Sequence, residues 1–185
     1  MKIMKVNCEK EALEHMAKEI LVACRTAPKG KGQDDIVTYL TDESDREKIA
    51  KEMENLSGVK GAFFNRDAKN IRDSDQMILI GLKDAKVAGL NCGGCGYEKC
   101  ADMEKQKKAN EVFKGPFCSI KIMDLGIALG VAAAKAKDMG IDTRIMYSAG
   151  AAACDKKLID AEIAIAIPMS VTGKNVFFDR KFDGK

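Results

Sequence analysis

Residues 120–139, IKIMDLGIALGVAAAKAKDM, form the most apolar helical stretch of the chain, and the fold is read outward from them. Gly126, Ala128, Gly130, Ala132, Ala133 and Ala134 put small side chains on several faces, which lets other elements approach closely. The stretch is therefore predicted to be a central helix, packed all round and ended by Gly140. Downstream, residues 143–147 read as a strand and 148–153 (SAGAAA) as a small-residue loop. Residues 161–167 read as a strand stopped by Pro168.

Upstream, Leu13, Met16, Ala17, Ile20, Leu21 and Cys24 recur at threes and fours, so 9–24 is predicted as an amphipathic helix that stops at Ala27-Pro28. The glycine-rich run 29–33 follows as a basic loop. Residues 36–40 are β-branched and aromatic and predict a strand. Ser44 with Glu47 makes a capping box for a second helix, with Ile49, Met53 and Leu56 inward and Gly58 and Gly61 closing it. Ala62, Phe63 and Phe64 are expected in the core, and 65–73 as a short exposed helix. The nearly continuous apolar run in 76–82 predicts a strand covered on both faces. Residues 98–112 look helical. Their lysines suit docking of an acidic electron donor, although interspersed Glu and Asp make an ordinary solvated face the simpler reading. Helices and strands alternate, giving a layered α/β or α+β arrangement.

The chain has 185 residues, 46% of them hydrophobic, enough for one sizeable core. A net charge of +3 with no Trp, and no basic arm interleaved with aromatics, argues against nucleic acid. No apolar run approaches the length of a membrane span, and residues 1–8 lack the apolar core of a secretory signal. His15, the single histidine, sits on a helix and is read as a surface or boundary residue.

The chemistry concentrates in Cys92-Gly-Gly-Cys95-Gly-Tyr-Glu-Lys-Cys100, with Cys118 following in Gly-Pro-Phe-Cys. Three thiolates spaced x2 and x4 can close on a [4Fe-4S] cluster from one side while the distant fourth caps it from the other. Gly93, Gly94 and Gly96 permit positive φ, which turns backbone N–H groups toward an anionic cluster. Zinc stays as an alternative, disfavoured because a structural zinc site usually offers paired C-x2-C hooks and only one is present. A disulfide is disfavoured by the closeness of Cys92 and Cys95. Cys8, Cys24 and Cys154 remain as an odd set outside the motif, consistent with a reducing cytoplasm. The stretch resembles the iron-sulfur module of several anaerobic metalloenzyme subunits and membrane electron-transfer proteins, whose pattern is C-G-x-C-G-x-x-x-C with a further cysteine downstream.

Outside the cysteine stretch the layout is similar to that of the FMN-dependent nitroreductases. Their opening helix ends in Ala-Ala-Arg-x-Ala-Pro-Ser, and Ala23-Cys24-Arg25-Thr26-Ala27-Pro28-Lys29 stands in that place here. Residues 124–146 resemble the family's central helix, Gly turn and strand, and 161–168 its last strand. The resemblance implies an α+β fold, a nitroreductase-like layering of sheet and helices in a single domain, 1–185, with 83–119 as the iron-sulfur insert. It also implies a homodimer with FMN between subunits. By that resemblance FMN would meet Arg25, Lys29, Lys31 and Gln33 at one end and Ser148 and Gly150 in the middle. Lys174 and Arg180 would approach the phosphate from the tail. The family's Arg-Arg-Ser phosphate anchor is absent, since 1–8 offers only Lys2 and Lys5, so a helix-ending turn and a solvated tail stand as the other reading of these residues. The combination resembles a family of uncharacterised prokaryotic proteins described as containing a ferredoxin domain. The expected function is an oxidoreductase passing electrons between a [4Fe-4S] cluster and a flavin or small-molecule acceptor, with a redox partner protein. The alternative is an electron carrier or redox sensor that lacks flavin.

Overall fold

The computed structural model describes residues 7–84, 86–106 and 112–178. Helix α1 (Cys8–Thr26) opens on Asn7, whose side chain accepts the Lys10 N–H, and buries the stripe Leu13, Ala17, Ile20 and Cys24. Strand β1 (Ile36–Leu40) is as predicted. Helix α2 (Glu43–Lys60) is capped two residues before the expected Ser44, because its capping box is made by Asp42 and Asp45. Asp45 N–H donates to Asp42 Oδ1 at 2.8 Å, and a carboxylate at this end also meets the positive pole of the helix. The helix runs through Gly58 and stops at Gly61, whose φ of 120° suits glycine.

Helix α3 (Phe63–Arg72) is amphipathic rather than exposed. Phe64, Asp67, Ala68 and Ile71 are buried, while Phe63, expected in the core, is 41% exposed. Strand β2 (Gln76–Leu82) has the predicted bounds. Of the predicted helix over 98–112, α4 (Cys100–Glu104) is observed, and 107–111 lie outside the described residues.

Helix α5 (Ser119–Asp138) matches the central apolar stretch within a residue, yet it is not covered all round. Leu125, Ala128, Ala132 and Ala136 are buried, whereas Met123 and Ile127 are 53% and 43% exposed. Strand β3 (Asp142–Thr143) is shorter than predicted, continued by an isolated bridge between Met146 and Ala166. The expected loop 148–153 is helical, within α6 (Tyr147–Asp155). Strand β4 (Ile163–Ser170) passes through Pro168 instead of stopping there. Ala166 exchanges both backbone bonds with Met146, so Pro168, two residues on, turns its nitrogen to the same edge. Strand β3 ends at Thr143, opposite Met169, so Pro168 has no strand partner on that edge to lose.

The sheet has the order β1-β2-β4-β3 with every pair antiparallel, so the fold is α+β. Alternation along β2 feeds two cores. Ile78, Ile80 and Leu82 pack with α1 and α5, and Met77 and Leu79 pack with α2, α3 and α6. These five side chains are fully buried, each contributing about 1.5–3 kcal/mol relative to exposure. Gly150 of α6 lies so near β4 that a Cβ there would sit 2.0 Å from the Ala164 carbonyl oxygen.

Candidate metal centre

The cysteine segment begins where β2 ends. Its first residue, Lys83, donates its backbone N–H to Asp35 O at 3.0 Å. The path from Gly89 to Gly96 turns repeatedly through positive φ, at Gly89, Asn91, Gly93 and Gly96. Gly96 N–H closes a turn on Gly93 O at 2.9 Å. Gly94 lies beside the start of α5. A Cβ on it would be 3.4 Å from Ser119 Cβ and 3.6 Å from Cys92 Sγ.

Asn91 clamps the loop to α4 in both directions. Its backbone N–H donates to Cys100 Sγ at 3.2 Å, and its side-chain oxygen accepts Cys100 N–H at 2.8 Å. Cys118 occupies the N-cap position of the twenty-residue α5 without a side-chain capping bond, at an end where the helix dipole favours negative charge. It is buried in a small core with Ala88 and Met103, against which Val87, Cys95, Tyr97 and Ile120 pack. Cys92 is exposed, and Cys95 and Cys100 are half-buried. Among the described residues, no group of three or more His, Cys, Asp or Glu is placed to hold a single metal ion. A mononuclear ion needs its sulfurs about 2.3 Å from one point, whereas a multi-iron cluster takes a wider set of cysteines. Cys92 and Cys95 lie in the loop, Cys100 opens α4 and Cys118 stands before α5, a set whose donor chemistry is that of a multi-iron cluster, and Cys100 Sγ already accepts a backbone N–H.

The residues predicted to meet a flavin fall into two groups. Arg25 Nη1 donates to Asp34 Oδ2 at 2.7 Å and to Ile36 O at 2.6 Å. Lys29 Nζ donates to Arg25 O at 2.5 Å and Ala27 O at 2.7 Å, closing the end of α1. Lys31, itself at φ 58°, reaches across to Ala88 O at 3.2 Å and so ties this loop to the cysteine segment. Gln33 O accepts Lys121 Nζ at 2.9 Å. Ser148 and Gly150 belong to the other layer, on the α6 side of the sheet. Ser148 is buried and donates to Asp67 Oδ2 at 2.6 Å. The structure therefore joins the 25–33 loop to the cysteine segment and leaves Ser148 and Gly150 behind the sheet. Lys174 follows β4, its carbonyl accepting from Thr172. Arg180 lies outside the described residues.

Sequence reasoning missed Asn91 and a buried network at the root of α5. Lys121, 1% exposed, lies 2.8 Å from Asp35 Oδ2 and 3.8 Å from Asp124 Oδ2. Gly30 N–H donates to Asp124 Oδ1 at 2.8 Å, and Asp124 Oδ2 has no hydrogen-bond partner among the described residues. These bonds fix the 30–35 loop against the first turns of the helix that carries Cys118. The available signal was an Asp and Lys at helical spacing inside an otherwise apolar stretch.

Comparison with known proteins places this geometry in context. A family model described as "Uncharacterized protein containing a ferredoxin domain" matches residues 114–180. An uncharacterised protein of Archaeoglobus fulgidus is 43% identical over 158 residues, spanning 85% of this chain and 86% of that relative. Among solved structures, a nitroreductase of Desulfitobacterium hafniense DCB-2 with bound FMN superposes with a TM-score of 0.56 at 14% identity. That match covers 94% of this chain and 82% of the other. The hypothetical oxidoreductase YcnD of Bacillus subtilis gives a TM-score of 0.51 at 17% identity, covering 87% of this chain and 58% of its own. The fold is that of the nitroreductases. Among the described residues, no helix is long and apolar enough to cross a membrane.

Proposed function

Since the chain belongs to the family of uncharacterised proteins that contain a ferredoxin domain, we propose that it is an iron-sulfur redox protein whose Cys92, Cys95, Cys100 and Cys118 hold a [4Fe-4S] cluster. In this reading residues 83–119 are an insert within a single domain, 1–185. The observation that carries it is the reciprocal clamp of Asn91 on Cys100 beside the helix end that presents Cys118. The cluster, when bound, supplies one-electron chemistry. The chain's own part is to aim thiols, to donate Asn91 N–H to a sulfur, and to cover Cys118 with Ala88, Met103 and Tyr97. In this reading the acceptor would be FMN held between two copies of the chain or a small molecule, and a redox partner protein would serve the other end. The FMN-bound nitroreductase of the same fold supports the flavin.

A second reading, a flavin-free electron carrier or redox sensor, is favoured by a specific observation. Arg25 Nη1, Lys29 Nζ and Ser148 Oγ already donate to internal acceptors.

Anaerobic purification or reconstitution separates these readings. Iron and sulfide in a brown protein, lost from a Cys92→Ser/Cys95→Ser variant that keeps its far-ultraviolet dichroism, are expected. Flavin fluorescence in the supernatant after acid precipitation selects the oxidoreductase, and its absence the carrier. A colourless protein holding about one zinc per chain overturns both.

A further inference from the structure

Away from the cysteines, two arginines converge on one atom. Arg66 of α3 donates Nε and Nη2 to Asp67 Oδ1 at 2.9 and 2.8 Å, and Arg144, between β3 and α6, donates Nη1 to the same oxygen at 3.2 Å. Asp67 is buried, and its other oxygen is taken by Ser148. Among the described residues no second carboxylate forms an ion pair with either guanidinium. Among the described residues, one fixed anion therefore faces two cations, and N–H groups of both forks are left over. The side chains of Arg66 and Arg144 keep 47% and 23% exposure, so the excess charge is accessible.

An aromatic ring stands beside Arg144, and a second lies a turn away from Arg66 on the same helix. The Arg144 guanidinium lies 5.9 Å from the centroid of Phe178, which is 60% exposed. Phe63, one helical turn before Arg66 on α3, is 41% exposed. A planar guanidinium fork matches carboxylate and phosphate oxygens, and exposed rings stack on a flat apolar body. We propose that Arg66 and Arg144, flanked by Phe178 and Phe63, form a binding site for a small aromatic oxyanion, an aryl carboxylate or aryl phosphate. Asp67 holds the two forks in place before the ligand arrives, which lowers the ordering cost of binding. The site uses none of the cysteines, so it stands or falls apart from cluster incorporation.

Calorimetric titration of the full chain with benzoate, phenyl phosphate, acetate and inorganic phosphate tests it. An aromatic anion is expected to bind more tightly than its plain counterpart, and the stronger of benzoate and phenyl phosphate identifies the head group. Arg144→Gln is expected to weaken that binding by about tenfold or more, and Phe178→Ala to erase the preference for the aromatic anion. Lys18→Gln, on the exposed face of α1, should change neither. If Arg144→Gln melts early, the half-exposed Arg66→Gln takes its place. No binding of either aromatic at millimolar concentration, binding that both arginine variants retain, or equal affinity for benzoate and acetate would overturn the assignment.

Discussion

Cys24 and Cys154 are held as thiols by their surroundings. Burial pushes each up to about 11, against the opposing pull of Arg25 and Lys29 on Cys24 and of the Ala164 backbone on Cys154. The thiolate is the reactive form, so brief iodoacetamide treatment at about pH 8 is expected to label the exposed Cys8 and spare these two until the chain is denatured. Peptide mapping by mass spectrometry reads the result, and labelling of Cys24 at the rate of Cys8 would refute its burial. Because folding raises both values, their contribution to stability is complete below the free-thiol value of about 8.5. It is lost as pH climbs through about 11. At this scale the cysteine motif could be read in the sequence, since spacing sets Cys92, Cys95, Cys100 and Cys118 apart from the rest, and the cluster assigned to them is the proposal that iron analysis tests. Asn91 was not, because its two bonds to Cys100 exist only once the chain has turned through positive φ.

Among the elements, α1, β1, β2 and α5 were legible because long apolar periodicities leave little choice of structure. The α6 segment was misread because SAGAAA carries no amphipathic period. The sheet demands small residues there. A Cβ on Gly150 would meet Ala164 O at 2.0 Å and Ile165 Cα at 2.6 Å, both backbone and unable to yield. Gly150→Ala is therefore expected to cost about 3 kcal/mol or more by overpacking. Gly58→Ala, in open space on α2, should instead gain about 0.5–1 kcal/mol; thermal melts of the pair check the contrast. Asp75, just before β2, joins α1 to the end of β4. It accepts the Lys10 ammonium at 2.6 Å, Val171 N–H at 3.0 Å and Ser170 Oγ at 3.1 Å. Burial alone would raise its carboxyl, and these donors outweigh burial and hold it below the ordinary range. The stability it supplies is present above the unfolded value of about 3.9 and lost as pH falls below it. Asp75→Asn should cost about 1–3 kcal/mol at neutral pH, and urea titrations across pH should show the gap from the parent protein closing as carboxylates protonate. A gap that stays constant down to acid would mean that Asp75 acts through packing alone.

For the whole molecule, the unexplained surface is the outer face of α5. Met123 and Ile127 expose 53% and 43% of their area there, Gly126 and Gly130 lie on the same side, and Val22 of the neighbouring α1 is 66% exposed. The sequence predicted this helix to be packed all round, because small residues on several of its faces let other elements approach closely. Among the described residues, the chain covers the side facing α1 and the sheet. A second copy supplies the missing cover in the homodimer proposed above, since glycines at helical spacing let another helix come close while Met123 and Ile127 interdigitate. Such an interface is expected to bury more than ~2,000 Å² in total and to be mostly apolar. Light scattering coupled to size exclusion should return twice the chain mass at micromolar concentration. Ile127→Asp, at an exposed position that leaves both cores intact, should return the single-chain mass with an unchanged dichroism spectrum. Iron content is then expected to survive, because the thiols and their Asn91 clamp lie within one chain, whereas any flavin held between copies should be lost with the dimer. A parent protein that runs as a monomer refutes the pairing and with it the flavin held between subunits. An Ile127→Asp protein that stays dimeric moves the interface to another face.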